Sequence, residues 1–229
     1  PARLEAGQSV SVPLQGLFTS PITEITESEI VSANIFVEYS LKGRTERREY
    51  VENLRVQGRN AMSWDDDRKA AAFVTPRDPG VQLFAKNVVS ATEGKGSRAV
   101  NQNLLQAIAV LQALKEYRVR YARDPNTPYD RLSKDRSAID FLQFPRETLQ
   151  YKAGDCDDLA ILYCALLESL GVETAFITVP GHIYAAFDLG LTPEAAVKWF
   201  SNPAELIVQQ GQVWLPVEVT ELEGGFLRA

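Results

Sequence analysis

Two cysteines and a single histidine limit the sulfur and imidazole chemistry that this chain could carry out. Cys156 lies in the stretch GDCDD, residues 154–158, directly before an apolar helical pattern. Unpaired N–H groups and the positive end of the helix dipole favour a thiolate there, and the same N–H groups could stabilise an oxyanion. The neighbouring aspartates oppose thiolate formation, so a cation must balance them. His182 is the one candidate that titrates near neutrality.

The second cysteine, Cys164, lies on the same predicted helix and is expected in its core. At ~1.5 Å rise per residue, the Cα atoms of Cys156 and Cys164 are about 12 Å apart, whereas a disulfide spans less than about 7 Å. Both thiols are therefore expected to be free. With one histidine and no second thiol nearby, a cysteine–histidine metal site is excluded.

Strand patterns place His182 at the start of one strand (182–189) and Glu218 near the end of another (212–220). If the two strands pair antiparallel, the start of one faces the end of the other, and the carboxylate can orient the imidazole ring. Asp188 lies on the same strand as His182, about 20 Å away at ~3.3 Å per residue, and is rejected as the orienting acid. An exposed strand position is the alternative role for Glu218.

The elements that must position these residues predict an α+β fold. A helix beginning at Cys156 and ending near Gly171 is followed by antiparallel strands, of which residues 173–179 form the first. An insert at 190–211 carries a short helix, TPEAAVKWF. Trp199 on this insert is expected to pack, or alternatively to line a substrate cleft.

Upstream, the sequence predicts a β-rich, sandwich-like domain over residues 1–90, followed by a second domain over residues 91–229. Residues 30–41 and 47–58 alternate as the strands of a hairpin, and AAAFVTP is expected to close this strand-rich region, which extends to about residue 88. A helix is predicted from about 98 to 122. Trp64, in a polar turn, is expected to pack beneath a surface loop or to form a contact surface.

Composition and charge narrow the class of protein. The chain has 229 residues, 45% apolar and 24% charged, which is typical of a globular protein. A net charge of −6 gives no basic footprint for nucleic acid, and no apolar run approaches the ~20 residues of a membrane span. The chain starts at Pro1 without a charged-then-apolar leader, which fits a trimmed chain or a mature product. We expect a periplasmic or secreted location.

The stretch GDCDDLAILYCALLESLGVETAFITVPGH, followed by VWLPVEVT, resembles the transglutaminase-like core of the papain-type cysteine enzyme group. The resemblance covers roughly residues 100–229. It implies a cysteine-bearing helix packed on an antiparallel sheet, with Cys156 as nucleophile, His182 as base and Glu218 as the third member. The family usually has aspartate at this last position, and the insert lengthens the interval after His182.

Two further roles are implied by the resemblance alone. The oxyanion-stabilising side chain of the family lies upstream of the cysteine, and Tyr129 or Tyr151 could fill that role. Some bacterial relatives that are calcium-dependent proteases bind the ion with acids flanking the cysteine, where this chain has Asp155 and Asp157. The alternative is that Asp155 caps the helix while Asp157 and Asp158 line a solvated first turn.

The resemblance leads us to expect a peptidase or amidase that acts on a protein or peptide through a thioester. Bacterial-type members of the family are more often linked to proteolysis than to cross-linking. A cross-linking acyltransferase is one alternative. A catalytically inactive protein-binding or scaffold module is another, motivated by the glutamate at 218 and by the insert. No cofactor other than calcium is expected.

Overall fold

A computed structural model of the chain describes residues 4–5, 7–92, 94, 101–125, 135 and 138–229. The chain forms two compact units, residues 1–59 and residues 60–229. Helices and antiparallel strands occur together, in agreement with the predicted α+β class. None of the described helices combines the length and the apolar composition that crossing a bilayer requires.

The first unit contains a long antiparallel ribbon of β1 (Glu29–Leu41) and β2 (Arg44–Val56), paired along both strands. Lys42 and Gly43 form the connection with φ values of 49° and 77°, the conformation that a tight hairpin turn requires. The predicted hairpin is therefore confirmed. This ribbon is the only sheet among the described residues of the unit, so the second layer of the expected sandwich is not found there.

The second unit begins with β3 (Ala61–Ser63), a 3-10 helix (Asp67–Phe73) and α1 (Pro79–Thr92). The strand expected at AAAFVTP, and strand structure up to residue 88, are therefore wrong. Val81, Ala85 and Val88 recur at helical steps and are buried. The Asp78 carboxylate accepts a backbone N–H of the first turn at 2.8 Å, so both periodicity and capping favour a helix.

The remaining elements follow in chain order: α2 (Gln102–Glu116), β4 (Arg120–Tyr121), β5 (Ile139–Phe141), α3 (Pro145–Tyr151), β6 (Ala153–Gly154), α4 (Cys156–Ser169), β7 (Thr174–Val179), β8 (His182–Asp188), α5 (Pro193–Trp199), β9 (Ile207–Gln209) and β10 (Gln212–Val217). Helix α2 ends before the predicted residue 122, because Arg118 adopts a left-handed φ of 66° and turns the chain into β4. The strands predicted around His182 and before Glu218 are confirmed.

Helix α4 packs on an antiparallel sheet of order β7-β8-β10-β9. Its apolar face and the facing strand residues form one core with α1 and α2. Members of this core include Leu159, Leu162, Leu166, Ala185, Phe187 and Val213. The sheet therefore fixes the position of α4, and with it the position of Cys156.

The boundary between the compact units lies between Arg59 and Asn60, upstream of the boundary that the sequence predicted at residues 90–91. The physical reason is the packing of α1. Its buried residues Val81 and Ala85 belong to the same apolar cluster as residues of α2 and α4, so α1 cannot be separated from that core without exposing it.

Candidate active site

Gly154 and Asp155 build the turn that places Cys156 at the first position of α4. A Cβ atom at residue 154 would lie 2.5 Å from the Cβ of Asp158, so only glycine fits this close approach. Asp155 has an extended backbone with φ −87° and ψ −159°, as residues preceding a helix do. The thiol consequently lies among first-turn N–H groups that have no partner within the helix.

The side chain of Cys156 is enclosed, with 4% of its surface exposed. Burial, and next the charge of Asp155, raise the pKa of this thiol to about 12, while the N–H groups of Ile183, Asp157 and Cys156 itself lower it in part. Because Ile183 follows His182, the start of β8 lies against the sulfur. At neutral pH the resting sulfur is a thiol, so a base must remove its proton before it can attack.

His182 and Glu218 meet where β8 begins and β10 has just ended. Val217 pairs with Ala185, and His182 Nε2 donates to Glu218 Oε2 at 2.5 Å. Thr220 donates its hydroxyl and its N–H to Glu218 Oε1 at 2.6 and 2.9 Å. Burial acts to raise the pKa of Glu218, but the hydrogen bonds from Thr220 and His182 leave it below its usual value. The carboxylate is thus ionised and held at both oxygens.

Asp188 lies at the other end of β8, where it pairs with Trp214 of β10. Its Oδ1 accepts the N–H of Gly190 at 3.0 Å. This placement agrees with the rejection of Asp188 as the acid that orients His182.

Within the described part of the chain, no hydrogen bond joins the Cys156 thiol to the His182 ring. Glu218 occupies Nε2 of the ring, so Nδ1 is the nitrogen that remains for the sulfur. A hydrogen bond between the sulfur and the ring therefore requires a movement of side chains. Catalytic hydrogen bonds often tighten in this way only when substrate is bound.

Three carboxyl groups surround the first turn of α4. Asp155, Asp157 and Asp158 each offer an oxygen within 4.8 Å of the others, and all three are buried. The solvated first turn considered from the sequence is therefore wrong. Burial, followed by interactions with Asp155, raises the pKa of Asp157 well above its usual value and that of Asp158 to about 8. Among the described groups, Asp155 Oδ1 is buried and has no hydrogen-bond partner.

The two tyrosines suggested for the oxyanion differ from the one that the structure brings near the thiol. Tyr129 lies outside the described residues, and Tyr151 is largely exposed on α3. Tyr121 pairs with Gly154 through the parallel β4–β6 bridge. The side chain of Tyr121 is about half exposed. Burial, and next the charges of Cys156 and Asp155, raise the pKa of Tyr121.

Tyr121 was missed from the sequence because this residue falls within the helix predicted from about 98 to 122, whereas it lies in β4. No local pattern indicates the pairing of residues 120–121 with residues 153–154.

Two other expectations are settled: Cys164 and Trp64 are both buried packing residues. Trp199 is half exposed.

Comparisons with known proteins give one match. The transglutaminase-like superfamily matches residues 97–219, which is more than half of the chain. Neither a curated protein nor a solved structure matches this chain. The superfamily includes cysteine peptidases and acyltransferases, and the chain belongs to the transglutaminase-like superfamily.

Proposed function

We propose that this protein is a cysteine enzyme that cleaves an amide bond of a protein or peptide through a thioester on Cys156. His182 is the general base and Glu218 orients its ring. The observation that carries the proposal is the hydrogen bond of 2.5 Å between His182 Nε2 and Glu218 Oε2. This bond leaves Nδ1 of His182 available for the thiol. The next residue, Ile183, directs its N–H at the Cys156 sulfur.

In the proposed reaction, His182 Nδ1 takes the thiol proton as the sulfur forms a bond to the substrate carbonyl carbon. The carbonyl oxygen becomes negative and is stabilised by the N–H of Cys156 at the start of α4. The carbon–nitrogen bond then breaks, and the imidazolium gives its proton to the leaving amine. Glu218, ionised and held by Thr220, stabilises the imidazolium between these two proton transfers.

Tyr121 is the tyrosine that we assign to the oxyanion, in place of Tyr129 or Tyr151. Its backbone pairs with Gly154, two residues before Cys156, and the charge of Cys156 contributes to raising its pKa. The pKa of Tyr121 is raised, so the phenol keeps its proton at neutral pH and can donate it in a hydrogen bond.

The thioester is resolved by water in our proposal, which makes the enzyme a peptidase or amidase. Transfer to an amine would instead make it a cross-linking acyltransferase with the same three residues. Incubation with a peptide library, with and without an added primary amine, separates the two. Mass spectrometry would show free acid products for hydrolysis and new amides for transfer.

A calcium ion is proposed at the first turn of α4, held by Asp155 and Asp157 with Asp158 beside them. Three buried carboxyl groups within 4.8 Å of one another fit a hard cation with oxygen ligands, and the unpartnered Asp155 Oδ1 is a ready ligand atom. Such an ion would supply positive charge that offsets the carboxylates near the thiol.

The second candidate is an inactive binding module. It is favoured by one observation, the enclosure of Cys156, whose thiol pKa is raised to about 12. A structural cysteine in a core has the same properties.

Alkylation with iodoacetamide between pH 5 and 8, located by mass spectrometry, distinguishes the two candidates. Cys164 is the internal control, because burial also raises the pKa of that thiol to about 12. We expect Cys156 to react faster than Cys164, and the His182→Ala variant to slow Cys156 by about 100-fold, as loss of a general base does. Equal rates at the two cysteines, unchanged in His182→Ala, would establish the inactive module.

A further inference from the structure

Residues 60–73, here called the upstream segment, precede the family match at 97–219 but form part of the surroundings of the nucleophile. The buried side chains that share an apolar cluster with Cys156 and Ile183 include Met62, Trp64, Ala70 and Phe73. The 3-10 helix of this segment contacts α4. The buried cluster that contains Cys156 therefore includes residues from outside the family region.

Asn60 ties the upstream segment to the loop after β5. Its side-chain Nδ2 donates to Leu142 O and to Glu147 Oε2, both at 2.7 Å. The backbone carbonyl of Asn60 accepts the Leu142 N–H at 2.8 Å. Glu147 Oε2 also accepts the Phe144 N–H at 2.9 Å. One buried amide side chain thereby contributes to fixing both ends of residues 142–144.

Gln143, in the middle of this loop, holds the first turn of α4. Its backbone N–H donates to Asp158 Oδ1 at 2.7 Å and its Nε2 to Asp158 Oδ2 at 2.6 Å. Asp158 Oδ2 in turn faces the N–H of Asp155 at 3.4 Å. Cys156 lies between these two aspartates in the sequence, so hydrogen bonds and the backbone of residues 142–144 together connect Asn60 to the turn that carries the nucleophile.

Two additional contacts hold the same elements together. Trp64 Nε1 donates to Asp140 Oδ2 at 2.7 Å, and both residues are buried. The ring of Phe73 lies 5.0 Å from the ring of Phe144. The upstream segment is thus fixed to β5 and to the following loop at three separate points.

We infer that the upstream segment is a working part of the active site, and that Asn60 and Trp64 are positioning residues for Cys156. This inference rests on the proposed function, because it concerns the reactivity of the same thiol. Asn60 acts through residues 142–144 and Asp158, and Trp64 acts through Asp140. Neither contacts the reacting atoms. A displacement of about 1 Å at a catalytic group can cost about 100-fold in rate, so small shifts of the α4 turn are sufficient.

The test is the alkylation rate and its pH profile at Cys156, with Cys164 as the reporter of unfolding. In Asn60→Asp a carboxylate faces Glu147 and the Leu142 carbonyl, and we expect Cys156 to react about 10-fold more slowly while Cys164 is unchanged. In the double variant Asn60→Asp with Glu147→Gln, the amide at position 147 donates to the carboxylate at position 60. The oxygen of the same amide still accepts the Phe144 N–H. This double variant should recover much of the rate, and Glu147→Gln alone should behave as wild type.

A second variant covers the case in which Asn60→Asp does not fold. Trp64→Phe keeps a ring in the cluster but removes the N–H donor to Asp140, and it should slow Cys156 by a similar factor. Trp214→Phe is the matched control, because Trp214 lies on β10 and pairs with Asp188, at the end of β8 distant from His182. A purely structural role predicts a lower melting temperature with Cys164 exposed, or wild-type rates at Cys156, and either result overturns the inference. If Cys156 reacts more slowly in His182→Ala but at the wild-type rate in both positioning variants, only the inference is overturned. If Cys156 reacts at the wild-type rate in His182→Ala, the proposed function itself is overturned.

Discussion

The carboxylate at residue 218 is held more firmly than an exposed strand residue would be. One oxygen accepts from His182 and the other from Thr220, and the Glu218 N–H donates to the carbonyl of Ala229 at 2.6 Å. The longer side chain of glutamate therefore starts from a fixed backbone and still reaches the ring. A glutamate at this position therefore reaches Nε2 of His182, although the family usually has aspartate there.

Shortening this side chain should therefore be harmful, even though it restores the residue type that the family usually has. We expect Glu218→Asp to reduce the alkylation rate of Cys156 by about 10-fold or more, because the fixed backbone leaves the shorter carboxylate out of reach of Nε2. Glu218→Gln should reduce it further, to the level of His182→Ala, since the imidazolium loses its negative partner. The measurement is the Cys156 rate at pH 6.5; a faster Glu218→Asp variant would contradict the assignment.

At the scale of the element, the first turn of α4 combines conflicting requirements. The turn must present the thiol, and it also buries three carboxyl groups of which Asp158 has its pKa raised to about 8. A carboxyl group that is protonated in the folded state but ionised when unfolded destabilises the fold as pH rises. For Asp158 the free energy of unfolding therefore decreases between the pKa of the unfolded carboxyl group, near 4, and the pKa in the folded state, about 8.

A thermal-unfolding series tests this turn. In chelator, we expect the melting temperature of the wild type to fall between pH 5 and pH 8, because unfolding then releases protons that the buried carboxyl groups hold in the folded state. Added calcium should raise it more at pH 8 than at pH 5. In Asp158→Asn the Gln143 amide can reverse to accept from the introduced amide, so the decline with pH should be smaller. A melting temperature that rises from pH 5 to pH 8 in chelator would contradict the buried-carboxyl account.

Elements with strong local signals could be predicted from the sequence, and those set by distant partners could not. Helix α4 and strands β7, β8 and β10 were predicted close to their limits, because each has a clear period and a Gly, Pro or Asp boundary. Helix α1 was missed because valines and aromatic residues near Pro79 resemble a strand. The β4–β6 bridge, which brings Tyr121 to the thiol, depends on pairing between residues far apart in the chain.

On the scale of the whole molecule, the unit that contains the site is larger than the family region. It begins at Asn60, whereas the family match begins at residue 97. The upstream segment and α1 contribute buried residues to the clusters on both sides of α4. Their removal would expose the apolar surface of α4 and of the sheet.

Two truncated chains test this extent. Residues 60–229 should fold and keep the Cys156 reactivity of the full chain. Residues 91–229, which correspond to the domain predicted from sequence, should fail to fold. They lack Trp64, Phe73 and Val81, and each such buried side chain stabilises a fold by about 1.5–3 kcal/mol against a typical total of about 5–15 kcal/mol. Circular dichroism melting compares them, and a cooperative transition in residues 91–229 would restore the boundary at residues 90–91.

The hydrogen bond from His182 Nε2 to Glu218 has a spectroscopic consequence. His182 is the sole histidine of the chain, so every imidazole resonance in a nitrogen-15 spectrum originates from the site and needs no assignment by mutation. A proton held on Nε2 corresponds to one tautomer of the neutral ring, whose two nitrogens differ widely in chemical shift. The His182 ring is therefore a natural single-site probe that reports which of its nitrogens carries a proton.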